Sequence, residues 1–187
     1  MAGVTSRESY FEAGVEVLAE LGYSGLKLAE VCRRLGVTTG SFYHYFPNWA
    51  AYTKEFIGHW VQARSIVISG VEELETDPRK RVDTLIRRAL ALPHRAEAAI
   101  RVWSALDPQV YEAQCTVDQQ RFNALARSAF ECLHDSHQAE VFASWGLYML
   151  VGYEQSTVAH NTADLLWIAE QLLEALDSGR FTTVPSN

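Results

Sequence analysis

The chain is poor in the residues that interrupt helices. Among 187 residues there are five prolines and eleven glycines, so long stretches are left free to be helical. No alternating apolar–polar run of strand type stands out, and there is no internal repeat or low-complexity tract. Nor is there an apolar run of about 18 residues, the length a membrane-spanning helix requires. Residues 1–9 lack a basic stretch followed by an apolar block, so no secretory leader is expected. Cysteine is scarce: Cys32, Cys115 and Cys132 are odd in number and widely spaced. That argues against a disulfide framework or a zinc site and fits a reducing, cytoplasmic setting.

Catalytic signatures are missing as well. There is no Gly-x-Ser-x-Gly elbow, no glycine loop to cradle phosphate and no Cys-x-x-Cys pair. His44, His59, His94, His134, His137 and His160 are scattered. His134 and His137 stand three apart but straddle a helix end, and no acidic residue completes a ligand set. No enzyme activity, cofactor or metal is therefore expected.

What is present is apolar residue in quantity, 48% of the chain, enough for a sizeable core. The net charge of −7 speaks against a nucleic-acid partner taken alone, but its distribution is uneven. From Gly25 to Lys54, Lys27, Arg33, Arg34 and Lys54 face Glu30 alone. From His137 onward, Glu140, Glu154, Asp164, Glu170, Glu174 and Asp177 face only Arg180. A small basic patch can grip phosphates while an acidic body limits non-specific adhesion.

The periodicity predicts helices nearly throughout. Tyr10, Gly14, Val17, Leu18 and Leu21 form one apolar stripe, with Glu8, Glu12, Glu16 and Glu20 opposite. Gly22 ends that helix. A second helix fits Leu28–Leu35, with Leu28, Val31, Cys32 and Leu35 inward, and Gly36 ends it. Thr38 or Thr39 caps a third, Gly40–Tyr45, which Pro47 prevents from continuing. Asn48 caps a long fourth helix to about Leu74. Asp77-Pro78 and Asp107-Pro108 are helix starts, for helices to about Leu92 and His134, with another from Arg95 to Leu106 between them. Ala139–Val158 and Ala163–Leu176 follow, parted at His160-Asn161, and the tail from Phe181 reads as frayed.

The stretch Val17–Tyr52 carries the function. A two-turn helix, a tight turn at Gly36-Val37 and a further short helix make a helix-turn-helix. Such a unit lays its second helix in the DNA major groove, leading with its N-terminal residues. Those are Thr38, Thr39, Gly40 and Ser41: short hydroxyls that reach base edges or phosphates, and a glycine that lets the backbone approach. Tyr43, His44 and Tyr45 supply hydroxyl and ring N–H groups suited to phosphate oxygens. Phe42 and Phe46 belong to the core, and Cys32 to the inward stripe of the second helix.

These residues resemble the TetR family of repressors. The carriers of the resemblance are Gly22-Tyr23, Gly36-Val37 and Tyr43-His44-Tyr45-Phe46, across residues 8–54. The resemblance implies an all-α chain: an N-terminal three-helix DNA-binding domain, residues 1–47, and a C-terminal helical ligand-binding and dimerisation domain, residues 48–187. It implies that Thr38, Thr39 and Gly40 face bases and that Ser41, Tyr43 and Tyr45 face phosphates. It further implies that the fourth helix connects the halves and that the last two helices form a homodimer. Two positions depart from the pattern. Trp49 stands where the family commonly has a phosphate-contacting lysine, and Leu26-Lys27 where threonine is frequent; Lys27 could supply the missing contact.

The body is rich in large aromatics, and helical bodies can enclose a mostly apolar cavity. Trp60, Arg64, Trp103, Tyr111, Trp145 and Tyr148 are the candidate lining residues, set against a plain-core reading of each. Asp118 and Arg121, one turn apart, read first as a local tie. Val141, Trp145, Tyr148, Leu165, Ile168 and Leu172 recur at helical spacing as a shared dimer face. The expected function is a ligand-responsive regulator, a repressor that binds a palindromic operator in double-stranded DNA as a homodimer and is released by a small apolar or aromatic effector. The alternative is a helical ligand-binding or interaction protein that has lost DNA binding, which Trp49 and the weak basic balance favour.

Overall fold

A computed structural model describes residues 6–158 and 161–185. Among these, the chain forms nine α-helices and a short 3-10 helix: α1 Arg7–Gly25, α2 Leu28–Leu35, α3 Thr39–Tyr43, α4 Trp49–Leu74, α5 Pro78–Leu90, α6 His94–Ser104, α7 Pro108–Leu133, α8 Ser136–Gln155, α9 Thr162–Asp177 and the 3-10 turn Arg180–Thr183. No helix among them is long and apolar enough to cross a membrane. The all-α expectation holds, and the punctuation falls where glycine and proline put it. Gly22 has φ 67° and ψ −174° inside α1, a backbone state that L side chains avoid, and only one further turn follows it. Asp77 caps α5 through the N–H groups of Arg79 and Lys80, with Pro78 in the first turn. Of His160-Asn161, His160 lies outside the described residues; Asn161 caps α9 by accepting from the Ala163 N–H at 2.9 Å.

By packing, the chain divides into two compact units, residues 1–63 with 93–115 and residues 64–92 with 116–187. The functional boundary expected after residue 47 is a different partition, since the first unit also takes in α6, which packs on α1.

The core of the first unit is aromatic. Tyr10, Phe42, Phe46, Tyr52 and Phe56 are buried, and their rings meet edge-on, tilted or stacked at 5.1–5.9 Å. Gly14 permits this: a Cβ there would stand 2.4 Å from the Tyr52 hydroxyl, which donates to the Tyr10 carbonyl at 2.9 Å. Leu21, placed on the apolar stripe from periodicity, is instead exposed, because Gly22 turns the chain at that end of the helix. On the opposite side of α1, Glu16 and Glu20 take up Arg34 of α2.

The second unit is built from α5, α7, α8 and α9 around Val82, Ile86, Leu125, Phe142, Leu172 and Leu176. Gly146 matters here: a Cβ would meet a Leu125 methyl at 2.8 Å. Leu165 and Leu172 are buried in this core, so they are not on the exposed face where sequence spacing put them. The tail expected to fray begins in a packed turn; its residues 186–187 lie outside the described residues. Phe181, on the 3-10 turn, is buried against Phe142, ring centroids 5.4 Å apart.

Candidate nucleic-acid interface and ligand cavity

The helix-turn-helix is built by local rules. Helix α2 ends at Gly36, which is left-handed (φ 66°, ψ 28°), and the Val37 N–H closes back on the Cys32 carbonyl at 3.0 Å. Thr38, not Thr39, caps α3: its hydroxyl accepts from the Ser41 N–H at 3.3 Å and lies 3.3 Å from the Ser41 hydroxyl. Phe42 and Phe46 point into the core and hold this short helix in place. Thr38, Thr39, Gly40, Tyr43 and His44 consequently face solvent, Tyr43 with 57% of its surface exposed. Ser41 and Tyr45 are half-buried, the Tyr45 ring 5.3 Å from that of Tyr10. Sequence reasoning therefore singled out a run that α3 does present on one surface.

The charges around it are arranged differently from their raw count. Arg33 donates to both Glu30 oxygens, at 2.9 and 2.6 Å. Arg34 reaches Glu20 at 2.8 Å and Glu30 at 3.4 Å. Hydrogen bonds from Arg33, more than any other cause, hold the Glu30 carboxyl down at about 2. Both arginines are thus neutralised within the unit. Lys27 and Lys54 are exposed, with no ion pair among the described residues. Lys27 precedes α2 and makes no side-chain cap. Trp49, at the position of the missing lysine, stacks on Tyr52 at 4.7 Å and is half-buried, a packing role.

The six aromatic and basic residues picked as cavity liners do not assemble. Trp60 is buried in the first unit, its Nε1 donating to Glu97 at 2.8 Å. Trp103 is buried between Tyr23 and Phe56, with centroids at 5.0 and 6.5 Å. Tyr111 is exposed on α7, its hydroxyl pushed up by a hydrogen bond with Cys115. Trp145 and Tyr148 are exposed on α8. Only Arg64 lines the hollow of the second unit, a space of about 90 Å³ walled by α4, α5, α7, α8 and α9. Its wall is aliphatic (Val67, Ile68, Leu125, Leu147 and Leu150 among others) apart from Arg64, Arg88 and Arg121. Arg121, read from the sequence first as a tie to Asp118 and second as a pocket polar, does both; Arg88 was missed. The signal for Arg121 was a cation on the inward stripe of α7, one turn from Val117, Ala124 and Leu125, all buried. A wider hollow of about 300 Å³ between the end of α8 and the start of α9 is more polar, with Tyr153, Ser156, Asn161 and Asp164 in its wall. Among the described residues no cluster of His, Cys, Asp or Glu is placed to hold a metal ion.

Helix α2, the turn at Gly36 and the capped helix α3 on an aromatic core have the geometry of a helix-turn-helix unit. Residues 11–51 match the family described as bacterial regulatory proteins, tetR family. The transcriptional regulator AcuR of Cereibacter sphaeroides is 44% identical over 45 residues, 24% of this chain and 20% of that protein, so the match spans about a fifth of that relative's length. A TetR transcription regulator from Haloarcula marismortui is similar over 92% of this chain and 96% of its own, with TM-score 0.74 and 17% identity. The regulator FadR of Bacillus subtilis, solved with stearoyl-CoA, is similar over 93% and 99%, with TM-score 0.69 and 16% identity. Residues 11–51 thus match the tetR family, and the chain as a whole is similar in fold to solved regulators of that family.

Proposed function

We propose that the chain is a ligand-responsive repressor that binds a palindromic operator as a homodimer and is released by a small, largely apolar effector. In this reading residues 1–47 are the DNA-binding domain, residues 48–187 bind ligand and dimerise, and the protein works in the cytoplasm. The observation that carries it is the exposed run Thr38–Gly40, Tyr43 and His44 on a helix whose other side is locked into an aromatic core. Thr38, Thr39 and Gly40 approach base edges; Ser41, Tyr43, His44, Tyr45 and Lys27 serve phosphates. Trp49 contributes packing in place of a cation.

Large apolar side chains left in solvent on α8 and α9 support dimerisation through those helices: Trp145, Tyr148, Leu166, Trp167 and Ile168. Two helices from each subunit then form a four-helix bundle. Helix α4 begins directly after the DNA-binding residues, and Arg64, Val67 and Ile68 in its second half line the cavity. Effector control requires that the ligand bind the DNA-incompetent state more tightly. A tenfold loss of operator affinity needs about 1.4 kcal/mol of such coupling.

Selection of bound duplexes from random DNA tests the proposal. The expected product is a site with two-fold symmetry, its half-sites about one helical turn apart. A pool with no enriched palindrome would instead favour a helical ligand-binding protein that no longer reads DNA, a reading that the neutralised Arg33 and Arg34 also favour.

A further inference from the structure

We propose that the effector is a small hydrophobic monocarboxylate, its tail in the aliphatic hollow of the second unit and its carboxylate paired with Arg121. This rests on the reading of that hollow as the effector site. The argument is the chemistry of the wall. Three of its lining residues carry guanidinium groups, Arg64, Arg88 and Arg121. No lining residue is acidic, and none carries a hydroxyl, an amide or an imidazole. The chain as a whole is acidic, at −7, so this cationic wall runs against the general balance. Arg121 is well covered, its side chain 12% exposed, with Nη1 3.8 Å from Asp118 Oδ1. Arg88 is exposed and stands toward solvent.

Each other ligand class meets an obstacle. A cation would find guanidinium groups and no acidic side chain in the wall, and no aromatic ring to bind it by its face. A polyhydroxylated or amide-rich molecule would find no acceptors or neutral donors. A neutral hydrocarbon would gain nothing from the guanidinium groups in the wall. A carboxylate matches the planar fork of a guanidinium in charge and geometry. Size points to a short tail. The hollow of about 90 Å³ is smaller than the ~150 Å³ cavity that admits benzene in an engineered core. Met149, an adaptable side chain, is in the wall and can yield some room.

The test is calorimetric titration of the full-length protein with butyrate, hexanoate and phenylacetate, each beside its primary amide, together with operator titrations in the same solutions. At least one acid should bind about tenfold or more tighter than its amide, and the same acid should lower operator affinity. R121M should abolish the preference for acid over amide while keeping the amide's affinity, and R121K should retain part of it. R121Q, which keeps a polar head without the charge, provides a second reading of the same pairing if R121M melts well below the wild type. Equal binding of acid and amide, both lowering operator affinity, overturns the carboxylate and leaves the effector cavity standing. A strong acid preference with unchanged operator affinity supports the carboxylate site and overturns effector control. Binding of neither at millimolar concentration overturns both.

Discussion

Adding one methyl group at Gly14 should loosen the whole DNA-binding unit. Helix propensity alone says the opposite: glycine inside a helix costs about 1 kcal/mol relative to alanine, so Gly14→Ala should stabilise by that amount. The packing reverses the sign. The new Cβ would stand 2.4 Å from the Tyr52 hydroxyl and 3.0 Å from Phe56 Cε2, both on fully buried rings with little room to retreat. Forcing carbon into such a core costs about 1–3 kcal/mol. Moving Tyr52 away also weakens its 2.9 Å hydrogen bond to the Tyr10 carbonyl, worth about 1 kcal/mol. After the helix gain is subtracted, the net loss is about 2 kcal/mol. Urea unfolding should show a lower midpoint with an unchanged slope. The partner variant Tyr52→Phe removes the oxygen that the methyl meets, so Gly14→Ala should cost less in that background, a coupling a double-mutant cycle reads directly. A Gly14→Ala protein as stable as the wild type, or more so, would refute the close approach of α1 and α4.

Tyr43→Phe should weaken binding to every duplex by about 1 kcal/mol through one lost phosphate hydrogen bond, whereas Thr39→Ala should change the ranking among operator variants; anisotropy titrations against a small duplex panel separate the two. Ile168→Asp places a charge on the exposed face of α9 and should shift the protein from dimer to monomer at micromolar concentration in sedimentation, while a wild-type monomer there would contradict the bundle. Acid sensitivity has a definite sign at Glu30. Its carboxyl is held at about 2 against the ordinary 4.5, so its contribution is fully present above pH 4.5 and is lost as the pH falls toward 2. Glu30→Gln should therefore flatten the acid limb of stability in that window, and an unchanged limb would argue against the Arg33 tie.

Local signals made the N-terminal half readable. Gly22 and Gly36 take positive φ, and Pro78 and Pro108 open helices, because these residues restrict the backbone whatever surrounds them. The helix-turn-helix was legible for the same reason, with α2 found at the bounds the periodicity sets. The cavity was not. An apolar or aromatic residue states a preference for burial, but not whether it meets another side chain or a void. Trp60 and Trp103 went into the core of the first unit, and Trp145 and Tyr148 stayed in solvent. Apart from Arg64, Arg88 and Arg121, the hollow is lined by plain aliphatics, which carry no local mark. Leu165 and Ile168 illustrate the same limit on α9, where a shared spacing places one in the core and one outside it. The ion pairs from Arg34 to Glu16 and Glu20 reach back from α2 to α1, outside the segment from Gly25 to Lys54, so the charge count of that segment could not reveal them.

The central claim is sequence-specific DNA binding through α2 and α3. Its most direct measurement is an anisotropy titration of the full-length protein against a selected operator and a scrambled duplex of equal length, repeated across salt concentrations. The account predicts that the operator binds about 10³-fold tighter or more at physiological salt. Both affinities should fall as salt rises, in keeping with a small number of phosphate contacts from Lys27, Tyr43 and their neighbours. Equal affinity for the two duplexes, or none for either at low salt, would contradict it.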